Sequence, residues 1–144
     1  MSISDRLRAG VATGSAAGTR ALAREFALSL PPDATLALHG DLGSGKTTWV
    51  QGLAIGLGIA DPVTSPTFTL YHIHRGKSML AHLDAYRLER PEQVDELLLE
   101  EFLESPWCLA VEWPEKVAGW LPADAWHLDL AIAPDGRHTI RLRG

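Results

Sequence analysis

Gly40, Gly45, Lys46 and Thr47 stand at the fixed positions of a G-x-x-x-x-G-K-[ST] pattern, in the run Gly40-Asp41-Leu42-Gly43-Ser44-Gly45-Lys46-Thr47-Thr48. Each residue type has a task if this loop holds a polyphosphate. Glycines at 40, 43 and 45 let the backbone turn tightly and aim successive N–H groups inward, a nest for phosphate oxygens. Asp41, Leu42, Gly43, Ser44 and Gly45 supply that main chain, with Thr48 beside it. The Lys46 ammonium would reach the β- and γ-phosphates, and the Thr47 hydroxyl can ligate Mg²⁺. A helix beginning here would add the positive end of its dipole.

Such a site also needs a carboxylate, usually at the end of a neighbouring buried strand. Glu112 ends the apolar run Cys108-Leu109-Ala110-Val111, and Asp84 ends Met79-Leu80-Ala81-His82-Leu83. Both are candidates for holding Mg²⁺ or orienting water, and with Lys46 they form the expected catalytic set. Glu92, Asp95, Glu96, Glu100 and Glu101 read as solvated helix faces. The hydroxyls of Thr64-Ser65-Pro66-Thr67 suit either a γ-phosphate sensor or an ordinary turn. His72 and His74 share a strand face, and His82 lies on the strand expected to pair with theirs. Half-buried strand positions explain them better than a metal set. Trp113, directly after Glu112, is the tryptophan placed to face a ligand or partner.

The elements that must position these groups follow from periodicity. Residues 36–39 are a short apolar strand before the loop. Val50, Leu53, Ala54 and Leu57 fall at i, i+3, i+4 and i+7 after it, one helix face, with Gly56 and Gly58 as its expected terminators. Strand, glycine loop, helix is the order that makes the motif a site. Leu22, Phe26 and Leu30 predict an earlier helix ended by Pro31-Pro32, while the small residues 10–19 read as a loop or frayed start. Residues 67–75 and 78–86 predict a hairpin turning at Gly76-Lys77. Pro91 opens a helix with Val94, Leu97, Leu98 and Phe102 as its buried stripe. Residues 107–111 read as a fully buried strand and 114–120 as a short helix. Leu128, Leu130 and Ile132 form the apolar face of a strand that turns at Pro134-Asp135-Gly136 into a last one through Ile140 and Leu142. The expected fold is α/β, a P-loop NTPase-like three-layer sandwich whose mixed sheet has a parallel centre and antiparallel edge strands. Phosphates would sit at the carboxyl end of the loop-bearing strand.

At 144 residues the chain suits one domain, 1–144, and its 46% hydrophobic content is that of an ordinary globule. No apolar run is long enough for a membrane span or a signal peptide core. The one cysteine excludes an internal disulfide and suits a reducing, cytoplasmic setting. Cys108, inside an apolar run, reads as a buried small hydrophobe. A net charge of −5 argues against an unaided grip on nucleic acid, where affinity rests on lysine and arginine. No N-K-x-D guanine clamp occurs, which favours ATP over GTP.

Four segments carry a resemblance: GDLGSGKTT with QGLAIGLG downstream, VTSPTFTLYHI, HLDAYRL, and VEWPEK followed by LP. In this order, across roughly residues 34–122, they are similar to the TsaE (YjeE) family, small bacterial ATPases of tRNA threonylcarbamoyladenosine synthesis. One departure lies at Leu98-Leu99, where family members often carry a glycine. The resemblance implies that Lys46, Thr47 and Thr48 bind ATP phosphates and Mg²⁺. Asp84 would be the Walker-B-like acid, and Glu112 would help hold Mg²⁺ or orient water, with Trp113 supporting that strand end. Ser65, Pro66, Thr67 and Thr69 would lie in or beside a nucleotide-responsive switch, and Arg87 is a possible arginine finger. The implied partners are TsaB- and TsaD-like proteins, with tRNA met only indirectly. A small-molecule kinase of shikimate-kinase type, or a module that holds nucleotide without hydrolysis, could use the same loop; the acidic helix after Pro91 disfavours the kinase.

Overall fold

The computed structural model describes residues 1–64 and 70–144. Seven strands form one sheet: β1 (Val11–Thr13), β2 (Ala34–His39), β3 (Tyr71–Arg75), β4 (Met79–Asp84), β5 (Trp107–Glu112), β6 (Trp126–Ile132) and β7 (His138–Leu142). Their order is β1-β7-β6-β2-β5-β4-β3. The central pairs β6/β2, β2/β5 and β5/β4 are parallel. β2, β4 and β5 are apolar through most of their length and are covered on both faces, as parallel strands require. The outer pairs β4/β3, β6/β7 and β7/β1 are antiparallel, so the expected mixed sheet is present.

Helices α1 (Ile3–Ala9), α2 (Ala16–Ser29) and α3 (Lys46–Gly56) cover one face. Phe26 anchors this layer, its ring 5.9 Å from that of Trp49 and 5.8 Å from that of Trp126. Single helical turns cover the other face: α4 (Gln93–Glu96) and 3₁₀ turns at Ala85–Arg87, Leu99–Phe102 and Pro114–Val117. They pack Val94, Leu99 and Val117 onto Leu83 and Val111.

Three expectations change. Residues 10–19 are not a loop: Gly10 (φ +92°) ends α1, β1 joins the sheet, and Ser15 caps α2 by accepting from Gly18 N at 3.0 Å. The small residues there are caps, which carry no apolar stripe. The helix after Pro91 lasts one turn, because Leu98 takes a left-handed conformation (φ +51°, ψ +37°) and faces solvent, as does Phe102. The buried side chains are Val94 and Leu99, so the expected stripe of Leu98 and Phe102 is out of phase. Ile132 is 53% exposed, since β6 runs past the core at its end. Gly56 is the last residue of α3, as expected, and also packs it on α2: a Cβ there would lie 2.7 Å from Ala27 Cβ, and at Gly52 2.6 Å from Ala23 Cβ. Gly58 (φ +74°) makes the turn that follows.

Candidate active site

The glycine loop joins β2 to α3. Gly40, Gly43 and Gly45 have φ of +153°, +80° and +101°, values that side chains with a Cβ rarely adopt. A Cβ on Gly40 would also strike the Leu130 carbonyl and Ser44 Oγ, whereas at Gly43 it would meet only open space. Gly45 is the N-cap of α3 and offers no side chain to its first N–H groups. An uncapped 11-residue helix opening on a glycine cradle is suited to an anion. Ser44 Oγ is buried and has no hydrogen-bond partner among the described residues. These features fit a polyphosphate.

Lys46 is buried beneath this loop. Its Nζ donates to the Gly40 carbonyl at 2.6 Å and lies 3.7 Å from the centroid of the Trp113 ring. Burial holds its ammonium below the usual lysine range, against the opposing pull of Glu112 and Asp84. Trp113 reaches this place because the chain turns left-handed (φ +56°) straight after β5, and the Tyr86 ring lies 5.0 Å beyond it.

Strand register brings the acids together. Glu112 pairs with Leu38 of β2 on one side and with Asp84 of β4 on the other. With period-2 alternation, Cys108, Ala110 and Glu112 face α3, as do Leu80, His82 and Asp84. Burial raises the Asp84 carboxyl above the usual range; a hydrogen bond from Tyr86 N, at 3.0 Å, works the other way, and the Glu112 charge adds to the rise. Glu112 is 5% exposed, and its Oε2 accepts from His82 Nε2–H at 2.5 Å.

One cavity of about 330 Å³ is lined by Lys46, Thr47, Thr48, Asp84, Glu112 and His138, together with Leu42, Gly43 and Gly45. Asp41 and Ser44 line instead a larger cavity, about 550 Å³, on the other side of the loop, which holds neither Lys46 nor the acid pair. The smaller cavity, which brings Lys46, Thr47 and both acids together, is therefore the candidate site. Thr47 and the two carboxylates form an all-oxygen donor set of the kind Mg²⁺ takes.

His82 and His138 were missed as site residues. His138 Nδ1–H donates to the Ser44 carbonyl at 3.0 Å across 94 residues of chain, a contact with no local signal. His82 had one: it lies two residues before Asp84 on the same strand, hence on the same face. Ser65, Pro66, Thr67 and Thr69 lie outside the described residues. Among the described residues no three His, Cys, Asp or Glu side chains form a group that could hold a metal ion. Burial, with His72 and His82 nearby, lowers the His74 pKa. Burial likewise pushes the Cys108 thiol up to about 12, as an inert core residue requires. Arg87 is exposed on its 3₁₀ turn. No helix among the described residues is long and apolar enough to cross a membrane.

The family model described as "Threonylcarbamoyl adenosine biosynthesis protein TsaE" matches residues 13–140. The chain belongs to the TsaE family. Proteins named tRNA threonylcarbamoyladenosine biosynthesis protein TsaE are similar to it at high coverage. That of Treponema pallidum is 38% identical over 78% of this chain and 84% of its own. That of Bacillus subtilis is 37% identical over 85% and 77%, and that of Streptomyces coelicolor 40% over 83% and 86%. A crystal structure of Bacillus subtilis YdiB superposes with a TM-score of 0.76 at 33% identity, covering 92% of this chain and 82% of that one. The span matched by the TsaE model contains every residue lining the smaller cavity.

Proposed function

We propose that this TsaE-family protein is a Mg²⁺-dependent ATPase of tRNA threonylcarbamoyladenosine biosynthesis. It would act on a complex of TsaB- and TsaD-like proteins and meet tRNA only through them. One observation carries the reading: a single cavity unites the glycine loop, Lys46 and Thr47 with two carboxylates from adjacent strand ends. The family membership supports the pathway, and the net charge of −5 supports protein partners over direct contact with tRNA.

The loop N–H groups and the α3 N-terminus bind the phosphates. Lys46 leaves the Gly40 carbonyl for the β/γ oxygens, where its poorly solvated ammonium gains a charged partner. Thr47 and Glu112 would hold Mg²⁺, Glu112 because β5 lies directly beside the loop-bearing β2. Bound there, Mg²⁺ would neutralise charge building on the transferring phosphoryl group. Asp84, one strand further out and made more basic by burial, accepts a hydrogen bond from the attacking water. Trp113, stacked on Lys46, shields the ammonium while no phosphate is present.

Calorimetry with ATP, and phosphate release with and without the partner proteins, test this reading. Lys46→Ala should abolish ATP binding. Asp84→Ala should keep most binding while hydrolysis falls by about 10²–10⁴-fold. Partners should raise wild-type turnover. Folded wild-type protein that takes up no ATP, even with Mg²⁺ and partners, would refute it.

A further inference from the structure

His82 sits in the middle of an apolar strand and is 0% exposed. A polar ring in that position costs free energy unless it is hydrogen-bonded. Among the described residues its Nε2 has one partner, Glu112 Oε2, at 2.5 Å, and its Nδ1 has none. The register explains the contact. His82 lies opposite Ala110, so Glu112 stands two residues along the neighbouring strand on the same face, the diagonal position within reach of a long side chain. Ala110 presents only a methyl group, which leaves the ring room to lean across. A leucine at this point of β4 would match its neighbours Leu80 and Leu83 and would leave no nitrogen unpaired; the histidine brings one thing a leucine cannot, the bond to Glu112.

We infer that His82 is a positioning residue, whose Nε2–H pins one oxygen of Glu112 so that the carboxylate presents its other oxygen, Oε1, to Mg²⁺. This rests on the reading that places Glu112 on the metal. It gives Glu112 the kind of outer support that orients ligating carboxylates elsewhere, where loss of the supporting group weakens metal binding by roughly 10- to 100-fold. Asp84 gets its orientation from the Tyr86 amide and needs no such support. The consequence falls on the Mg²⁺-dependent part of ATP binding, because the loop amides and Lys46 do not touch His82.

The experiment measures ATP affinity by calorimetry on the full chain, once with Mg²⁺ and once with EDTA. It compares wild type, His82→Leu and His82→Gln, each first shown to be folded by its circular dichroism and melting. Affinity in EDTA should be the same in all three. The gain that Mg²⁺ brings should shrink by roughly 10- to 100-fold in His82→Leu. It should largely return in His82→Gln, whose amide nitrogen stands where the ring Nε2 stood. In nucleotide-free protein, ¹⁵N NMR should show a protected, downfield His82 Nε2–H that disappears in Glu112→Leu. If His82→Leu does not fold, His82→Asn replaces it, since that amide stops at the Nδ1 position and cannot reach Oε2. A folded variant lacking the Nε2 donor that gains as much from Mg²⁺ as wild type overturns the inference alone. A loss that glutamine does not repair also overturns it, since ring packing would then be the cause. A wild type that gains nothing from Mg²⁺ removes Glu112 from the metal, and His82 with it.

Discussion

Gly52→Ala sets two terms of opposite sign against each other. Alanine is favoured over glycine inside a helix by about 1 kcal/mol, so propensity alone raises stability. Packing opposes it. A Cβ at this position would sit 2.6 Å from Ala23 Cβ and 2.9 Å from Arg20 Cα, and against the Arg20 carbonyl. Carbon atoms pack at about 3.5–4.0 Å, so α2 must retreat by about 1 Å. The obstructing atoms are backbone and a methyl, which cannot rotate away. The retreat opens the interface where Leu22, Ala23 and Phe26 meet Trp49, Val50 and Leu53, all buried. Overpacking of this kind costs about 1–3 kcal/mol, and with such rigid neighbours the upper part of that range applies. After the propensity gain, a net loss of about 1–2 kcal/mol remains, which lowers the melting temperature by roughly 2–8 °C for a chain of this size. Urea unfolding should show a lower midpoint at unchanged slope. Gly14→Ala is the control, because a Cβ there meets nothing within 4 Å. Since α3 starts at Lys46, the variant should also bind ATP more weakly. A Gly52→Ala protein that melts at or above wild type would refute the packing argument.

Two further substitutions follow from single residues. Leu98 adopts left-handed geometry with half its surface exposed, where a residue with a Cβ pays roughly 1–2 kcal/mol and glycine does not. Leu98→Gly should therefore stabilise by about 1 kcal/mol in urea titrations; a lower midpoint counts against the strain. Asp84→Asn keeps the acceptor for Tyr86 N but removes a carboxylate that burial makes hard to ionise. Because the folded pKa is raised, the acid's favourable contribution exists below the unfolded value near 3.8 and is lost as pH rises through the folded one. The variant should melt higher than wild type at pH 7, with the gap closing below that window, while hydrolysis is lost. A gap that does not change with pH would assign the effect to something other than the charge.

The glycine loop was legible in the chain because its work is local: nine consecutive residues supply the turn, the amides, the ammonium and the hydroxyl. The parallel core was legible for a related reason, as strands covered on both faces are continuously apolar. Asp84 and Glu112 could be chosen because each ends such a run. Periodicity failed where apolar spacing was not what set the backbone. Ser15 caps α2 in a segment, residues 10–19, whose small residues suggest a loop, and Leu98 breaks a helix whose stripe runs on in the sequence. What lay beyond the chain's own order was which groups touch. Lys46 under Trp113, Asp84 beside Glu112, His82 bonded to Glu112 and His138 against Ser44 all join segments far apart in sequence. Those meetings are settled by strand register and by the left-handed turn at Trp113. A shift of one residue in either pairing would send every side chain of the strand to the opposite face, so only the folded sheet can decide them.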